Sequence, residues 1–270
     1  MAKLPVSVIV VSYNSAHCLQ QAFESASDAA EWILVDNASS DSSATIGEKL
    51  NCKVVSNARN KGFGTACNQG AGVATQEFLL FLNPDAQLAS SALKAMFGTL
   101  ADNPGIAAAG PYQFKNPETP AAHGNAVHDA VVDCAKGDFL SGAGLFCRKR
   151  DFYDIGGFDE RFFLYFEDED LSRRFAERGQ LVRVAGAKLF HQPGTGANLV
   201  ARQKFMKYRH YGRSRAYFSR KYGVKFSFTG AALEQAIKGI FAIAKFEPDR
   251  SAQHFGRAVG YIEGRYFGIS

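Results

Sequence analysis

The first hundred residues repeat one pattern: a short apolar run, a polar loop where the run ends, then a stretch of helical spacing. Val6-Ser7-Val8-Ile9-Val10-Val11 breaks at Ser12-Tyr13-Asn14, and Trp32-Ile33-Leu34-Val35 breaks at Asp36-Asn37-Ala38-Ser39-Ser40-Asp41. Val54-Val55 leads into Asn57-Ala58-Arg59-Asn60-Lys61-Gly62-Phe63-Gly64, and Phe78-Leu79-Leu80-Phe81-Leu82 into Asn83-Pro84-Asp85. Apolar runs of this kind suit strands buried on both faces. The intervening spacing predicts helices over 17–30, Ser43–Leu50 and Thr65–Val73, and another from Ser90. The alternation predicts an α/β domain with a mostly parallel twisted sheet flanked by helices. Such sheets bind ligands where their strands end, which is where the polar loops fall.

Two of these loops invite a chemical reading. Lys61-Gly62-Phe63-Gly64-Thr65-Ala66-Cys67 is a partial dinucleotide fingerprint, with Asp85 downstream as a ribose-binding acid. A pyrophosphate loop normally follows the first strand of its domain, and here that strand ends without glycine. Asp85 is delivered to the sheet edge by an apolar strand, with Pro84 fixing the turn. It reads equally as a helix cap or as a carboxylate holding a divalent cation against a nucleotide diphosphate, because hard cations share oxygen ligands with phosphates.

Further on, Gly156 to Arg174 reads GGFDERFFLYFEDEDLSRR. Four acids (Glu167, Asp168, Glu169, Asp170) follow an aromatic run, where carboxylates are costly unless something uses or satisfies them. A helix beginning at the acids would hold them at its positive end. Taken alone, the cluster reads most simply as an acidic cap on a solvated face.

The chain has 270 residues, room for one large domain and an appendage, with 46% hydrophobic residues. No window of ~18 uncharged apolar residues marks a membrane span. The opening MAKLPVSVIVVSYN has too short an apolar part for a secretory signal, so a cytoplasmic start is expected. Five scattered cysteines without a CxxC pair read as free thiols in a reducing compartment. Charge is uneven: residues 201–270 carry 14 Lys and Arg against 4 Asp and Glu, the rest 17 against 22. A basic tail on an acidic body suggests an anionic partner or surface for the tail.

Six blocks in order resemble family 2 glycosyltransferases of the GT-A fold, from Val6 to about Ala197: VSVIVVSYN, VDNASSD, NARNKGFGTACNQG, FLLFLNPDA, SGAGLFCRKRDFYDIGGFDERFFLYFEDEDLSRR and LFHQPGT. The resemblance implies an inverting hexosyltransferase that moves a sugar from a nucleotide-diphosphate donor. It implies that Ser12 and Tyr13 line the base and ribose pocket and that Asp36 contacts the nucleobase or ribose. It implies that Asn60, Gly62 and Gly64 approach the donor. Asn83-Pro84-Asp85 stands where the family has its Asp-x-Asp metal motif, with Asn83 in the first place. Asp85 is then the expected ligand for Mg2+ or Mn2+, and His191 the second. Gly142 lies in the loop under the sugar and acceptor. Asp168 is the implied catalytic base and Glu167 its orienting or acceptor-binding neighbour. Asp170 is expected to serve the helix end or an arginine.

Residues 111–137 form a loop with His123 and His128, read as solvated. Residues 202–225 hold nine Lys and Arg and no acid, interleaved with Phe205, Tyr208, Tyr211, Tyr217, Phe218 and Tyr222. An amphipathic helix is expected near Ala231–Phe246, with Leu233, Ile237, Ile240, Phe241 and Ile243 on its apolar side. These stretches can pack on the catalytic domain or lie on anionic lipid, and the latter is preferred to nucleic acid for an enzyme. YRHYGRSRAYFSRKYG is similar to the tail of bacterial rhamnosyltransferase-like members, which build cell-surface polysaccharides on lipid carriers. The expectation is thus a GT-A domain over 1–200 and a basic helical extension over 201–270. Its donor would be dTDP-rhamnose and its acceptor a glycan or lipid-linked glycan at the inner membrane face. Oligomeric state stays open. The alternatives are a non-catalytic nucleotide-sugar or glycan-binding module on the same fold, or a dinucleotide-binding dehydrogenase.

Overall fold

The structure, a computed structural model, describes residues 2–115, 129–192, 196–197 and 199–266. His123, His128 and Pro193-Gly194-Thr195 lie outside that range.

Strands and helices alternate as β1 (Leu4–Ser12), α1 (Leu19–Ser25), β2 (Ala29–Asp36), α2 (Ser43–Lys49), β3 (Lys53–Ser56), α3 (Phe63–Val73) and β4 (Phe78–Leu82). They continue as β5 (Ala86–Leu88), α4 (Ala92–Asp102), β6 (Ile106–Phe114), β7 (Ala130–Val131), β8 (Gly144–Arg148), α5 (Lys149–Asp154), α6 (Glu167–Ala176) and β9 (Gln180–His191). The last three elements are α7 (Ala201–Lys221), α8 (Phe228–Ala244) and α9 (Pro248–Tyr266).

The strands form one sheet of order β3-β2-β1-β4-β8-β6-β9-β5, with β7 on β9. It is parallel across β3, β2, β1 and β4, as the βαβ rhythm requires. Beyond β4 it is mixed, because β8 runs antiparallel to both neighbours while β6 and β9 are parallel to each other. Central strands β1 and β4 are apolar on both faces, and β4 is buried at all five residues. Leu19, Phe23 and Ala26 pack α1 against the sheet, as their spacing predicts, but the helix spans only Leu19–Ser25, since β2 already begins at Ala29.

The chain divides into two compact units. The first comprises Met1–Lys61, Thr65–Phe158 and Leu171–Ala197, and contains the whole sheet. The second comprises Gly62–Gly64, Asp159–Asp170 and Asn198–Ser270, and contains α7, α8 and α9.

In the second unit α7 and α9 meet along a seam of small residues. A Cβ on Gly260 would overlap the carbonyl oxygen of Arg209, one on Gly256 would overlap that of Phe205, and one on Gly212 would stand 2.6 Å from the Gly260 carbonyl carbon. Arg209 closes the seam with a two-pronged ion pair to Glu263, at 2.6 and 2.7 Å. The aromatic residues of α7 fold onto the run Phe162–Phe166. Phe162 lies 4.7 Å from Tyr217, Phe163 stacks on His210 at 3.9 Å, and Phe166 lies 5.4 Å from Phe218. Burial, then the charges of Arg213 and Arg209, push His210 down to about 4, so the stacked ring is a neutral packing group.

Candidate active site

In the first unit, neighbouring strand ends gather the polar loops. Ser12 closes β1 beside Asp36 at the end of β2, in parallel register, and Ser56 of β3 follows on the other side of Asp36. The Ser12 hydroxyl and the Asp36 Oδ1 are buried and have no hydrogen-bond partner among the described residues, while Asp36 Oδ2 accepts from the Ser39 amide at 3.3 Å. Leaving such groups unmatched costs about 1–3 kcal/mol each, so together they mark a place built for polar atoms from outside.

Asn37, the next residue, is buried and works as a hub. Its Oδ1 accepts from the Lys61 amide at 2.9 Å and from Asn57 Nδ2 at 3.2 Å, and its Nδ2 donates to Asn60 Oδ1 at 2.9 Å. Asn57 and Gln69 exchange a second pair of bonds, at 2.8 and 3.1 Å. This amide network holds the loop after β3 against the loop after β2. Asn60 was singled out from sequence, whereas Asn37, Asn57 and Gln69 were not; four amides spread over three segments carry no spacing signal.

At the end of β4, Asn83-Pro84-Asp85 turns directly into β5. That strand separates Asp85 from α4, which removes the helix-cap reading of its carboxylate. β5 pairs antiparallel with β9, setting Ala86 opposite His191, the last residue of β9. Asp85 Oδ1 and His191 Nε2 are consequently 3.3 Å apart, with side chains 7% and 9% exposed. Asn83 Nδ2 contacts the same imidazole nitrogen at 3.4 Å, and His191 Nδ1 is buried without a partner among the described residues. Gly196 presses on this pair: a Cβ there would stand 2.9 Å from Asp85 Cγ. The backbone can approach the carboxylate only because it is glycine. Gly142 is buried in the turn after Ser141, and Ala143 accepts from the Asn83 amide at 3.3 Å, linking that turn to the Asp85 turn.

In the second unit, Gly62 has φ +89°, and a Cβ on it would overlap the Phe163 carbonyl oxygen and sit 2.9 Å from the Phe163 Cα. The Phe63 amide donates to that same oxygen at 2.9 Å. Gly62-Phe63-Gly64 is therefore shaped to dock on the aromatic run. This accounts for Gly62 without a dinucleotide, and the loop follows the edge strand β3 rather than β1.

The aromatic run ends in two consecutive left-handed residues, Tyr165 (φ +71°) and Phe166 (φ +69°). Each costs roughly 1 kcal/mol or more for an L-residue, and such strain persists only where the surroundings hold it. Here Ser214 donates to the Leu164 carbonyl at 2.9 Å, and Phe166 is clasped by Tyr211 and Phe218. The strained pair delivers Glu167 and Asp168 as the first residues of α6. Glu167 is 5% exposed, and its Oε2 has no partner among the described residues. Burial, reinforced by the negative charge of Asp168, raises the Glu167 carboxyl well above the usual range and so favours its protonated form. Asp168 is half-buried, with Oδ1 accepting the Glu169 amide at 3.0 Å. Asp170 is fully buried, paired with Lys221 and accepting from the Tyr222 hydroxyl at 2.8 Å. Lys221 is the last residue of α7, and Tyr222 follows it.

Folds of this architecture are those of GT-A glycosyltransferases. The chain aligns over 98% of its length with 93% of the S. aureus TarS 1-349 crystal structure (18% identity, TM-score 0.58). It likewise aligns with 88% of the mannosyltransferase PcManGT from Pyrobaculum calidifontis in complex with GDP-Man and Mn2+ (14% identity, TM-score 0.61). Residues 7–168 match the model of glycosyl transferase family 2, and the chain belongs to that family. It is 28% identical to the N-acetylglucosaminyl-diphospho-decaprenol L-rhamnosyltransferase of Mycobacterium tuberculosis (strain ATCC 25618 / H37Rv), over 77% of this chain and 86% of that protein. It is also 28% identical to the pre-mycofactocin glycosyltransferase of the same strain, over 60% of this chain and 35% of that protein.

Proposed function

We propose that this glycosyltransferase moves rhamnose from dTDP-rhamnose to a hydroxyl of a lipid-linked glycosyl diphosphate, with inversion at the anomeric carbon. The catalytic domain is assigned to residues 1–200 and the helical extension to 201–270. The named activity of the mycobacterial relative supports the sugar and the acceptor class. The observation that carries the donor side is the Asp85–His191 pair at the sheet edge, a carboxylate and an imidazole nitrogen 3.3 Å apart. Together they would hold a divalent cation. Among the described residues no third His, Cys, Asp or Glu completes a metal cluster, which suits a cation that takes its remaining ligands from phosphate oxygens and water. When bound, the cation neutralises charge on the departing diphosphate. Ser12, Tyr13 and Asp36 would hold the base and ribose, with Asn60, Gly62, Gly64 and Asn83 bordering the donor and Gly142 the acceptor.

Asp168 is assigned as general base. Its carboxylate takes the proton of the acceptor hydroxyl as that oxygen bonds to the anomeric carbon, and the bond from that carbon to the diphosphate oxygen breaks with its electrons. Glu167 beside it, its carboxyl raised by burial and by the Asp168 charge, can in its protonated form hydrogen-bond to the acceptor.

The extension is proposed to rest on an anionic bilayer. The support lies on α8, where Leu233, Ile237, Ile240, Phe241 and Ile243 are exposed, with Phe246 beyond the helix end 92% exposed and Lys238 and Lys245 beside them. Many bases of α7 are engaged elsewhere, Lys204 with Asp249, Arg209 with Glu263 and Lys221 with Asp159 and Asp170. The lipid-facing role therefore moves from the basic stretch to the apolar face of α8, which lacks the length and apolarity to cross a membrane.

Calorimetric titration of dTDP, UDP and GDP, with and without Mn2+, tests the donor side. The expected result is Mn2+-dependent binding of dTDP that Asp85→Ala abolishes. Preference for UDP removes the rhamnose donor and leaves the transferase standing.

A further inference from the structure

Within the second unit, one cluster brings together aromatic and cationic side chains of the aromatic run, α7 and α9. Tyr165 lies 6.4 Å from Tyr208, nearly parallel to it, and 5.2 Å from Tyr211, edge-on. Arg257 reaches over from α9 and covers both α7 rings, its guanidinium carbon 4.5 Å from the Tyr208 centroid and 5.2 Å from that of Tyr211. The Lys207 ammonium stands 5.8 Å from the Tyr165 ring. All five side chains are half-buried, open enough for a ligand to reach.

Arg257 is the informative member. The four acids of 201–270 are engaged by other cations: Glu234 by Lys238, Glu247 by Arg250, Asp249 by Lys204 and Glu263 by Arg209. Arg257 is left on tyrosine faces, and its buried Nε finds no acceptor among the described residues. A guanidinium pre-oriented by two rings keeps its fork of N–H donors, the geometry that matches phosphate oxygens. Burial, then Tyr208, push the Tyr165 phenol upward, so its hydroxyl remains a donor. Tyr165 is also one of the two strained residues that deliver Glu167 and Asp168, which ties the cluster to the acidic pair through the backbone.

We propose that this cluster is the acceptor subsite. Arg257, with Lys207, takes the diphosphate of a glycosyl diphosphate lipid, and the hydroxyls of Tyr165, Tyr208 and Tyr211 border the attached sugar ring. This rests on the transferase reading above. A nucleotide-sugar donor offers the same diphosphate chemistry. The acceptor is favoured because the cluster belongs wholly to the unit that carries the apolar face of α8, a resting place for a lipid chain, and because tyrosine hydroxyls suit the hydroxyls of a sugar ring.

The test is titration of the full chain in the presence of Mn2+ with four probes: N-acetylglucosaminyl-diphospho-farnesol, the same sugar and farnesyl group joined without diphosphate, inorganic pyrophosphate, and dTDP. Arg257→Gln is expected to weaken the diphosphate lipid about tenfold or more, as loss of a charge-assisted bond does, and to leave dTDP and the uncharged lipid within about twofold. Tyr208→Leu is expected to weaken both lipids and spare pyrophosphate. If Arg257→Gln melts well below wild type, Lys207→Gln and Tyr208→Leu carry the same comparison. Unchanged affinity of these variants for the diphosphate lipid overturns the proposal. Equal loss of dTDP overturns it too, in favour of the donor diphosphate. Wild type that binds dTDP but no lipid probe overturns the subsite and leaves the transferase; wild type that binds none of the probes removes both.

Discussion

The adjacent carboxyls of Glu167 and Asp168 differ in burial, Glu167 being buried and Asp168 half-buried. Burial raises Glu167, and the neighbouring Asp168 charge raises it further. A carboxyl whose folded-state value is raised stabilises the fold fully below its unfolded value of ~4.3 and loses that contribution as pH climbs through the raised value. Glu167→Gln should therefore gain on wild type as pH rises above that lower limit, at up to ~1.4 kcal/mol per pH unit until the native group ionises. Thermal melts of both proteins from acid to alkaline pH check this, and a pH-independent difference in melting temperature would sink it. Asp159 has the opposite sign. Burial would raise it, but hydrogen bonds from Arg161, Lys221 and Tyr217 outweigh burial and hold it far below the usual range. At this scale the sequence was informative where chemistry demands a particular residue. Ser12, Asp36, Asp85, His191, Glu167 and Asp168 each stand at a strand end or at the first turn of a helix, where pattern reading places them. It was silent on Asn37, Gly196 and Arg257, whose partners come from other segments.

Helices α7 and α9 are held by close backbone approach more than by large side chains. Overlap with the Arg209 carbonyl means that Gly260→Ala must push two helix backbones apart, and overpacking of this kind costs about 1–3 kcal/mol. Gly98, inside α4, has nothing within 4 Å of where its Cβ would stand, so Gly98→Ala should instead stabilise by ~0.5–1 kcal/mol through helix propensity. Denaturant titration of the two variants separates the effects, and equal stability changes would refute the seam. Helix α9 escaped pattern reading because Gly256, Gly260 and Gly264 replace the apolar stripe that marks a helix. Strands β1 to β4 were legible because each is built on a run of apolar residues, whereas β6 ends inside the stretch 111–137 that was read as a loop. The three-residue β5 was not legible, though it is what places Asp85 beside His191.

At the scale of the whole molecule, the uneven charge of the sequence pointed to residues 202–245 as a lipid contact, and the contact proposed above falls on α8 within them. Lys204, Arg209 and Lys221 of α7 serve internal ion pairs, while the apolar side of α8 is exposed. Flotation with vesicles containing anionic phospholipid should recover the wild-type chain. Replacing Phe241 and Phe246 together by serine should cut binding by about tenfold or more, given ~1.5–3 kcal/mol for each buried phenylalanine. Undiminished flotation of that variant would dismiss α8 as the lipid contact.

The most direct test of the account is turnover by Asp168→Asn, measured beside its affinity for dTDP. With dTDP-rhamnose and N-acetylglucosaminyl-diphospho-farnesol as substrates, the variant should lose transfer by ~10²–10⁴-fold, the share a general base supplies, and still bind dTDP as wild type does. Wild-type turnover by a well-folded Asp168→Asn would contradict the assignment of the base, and with it the mechanism built on α6.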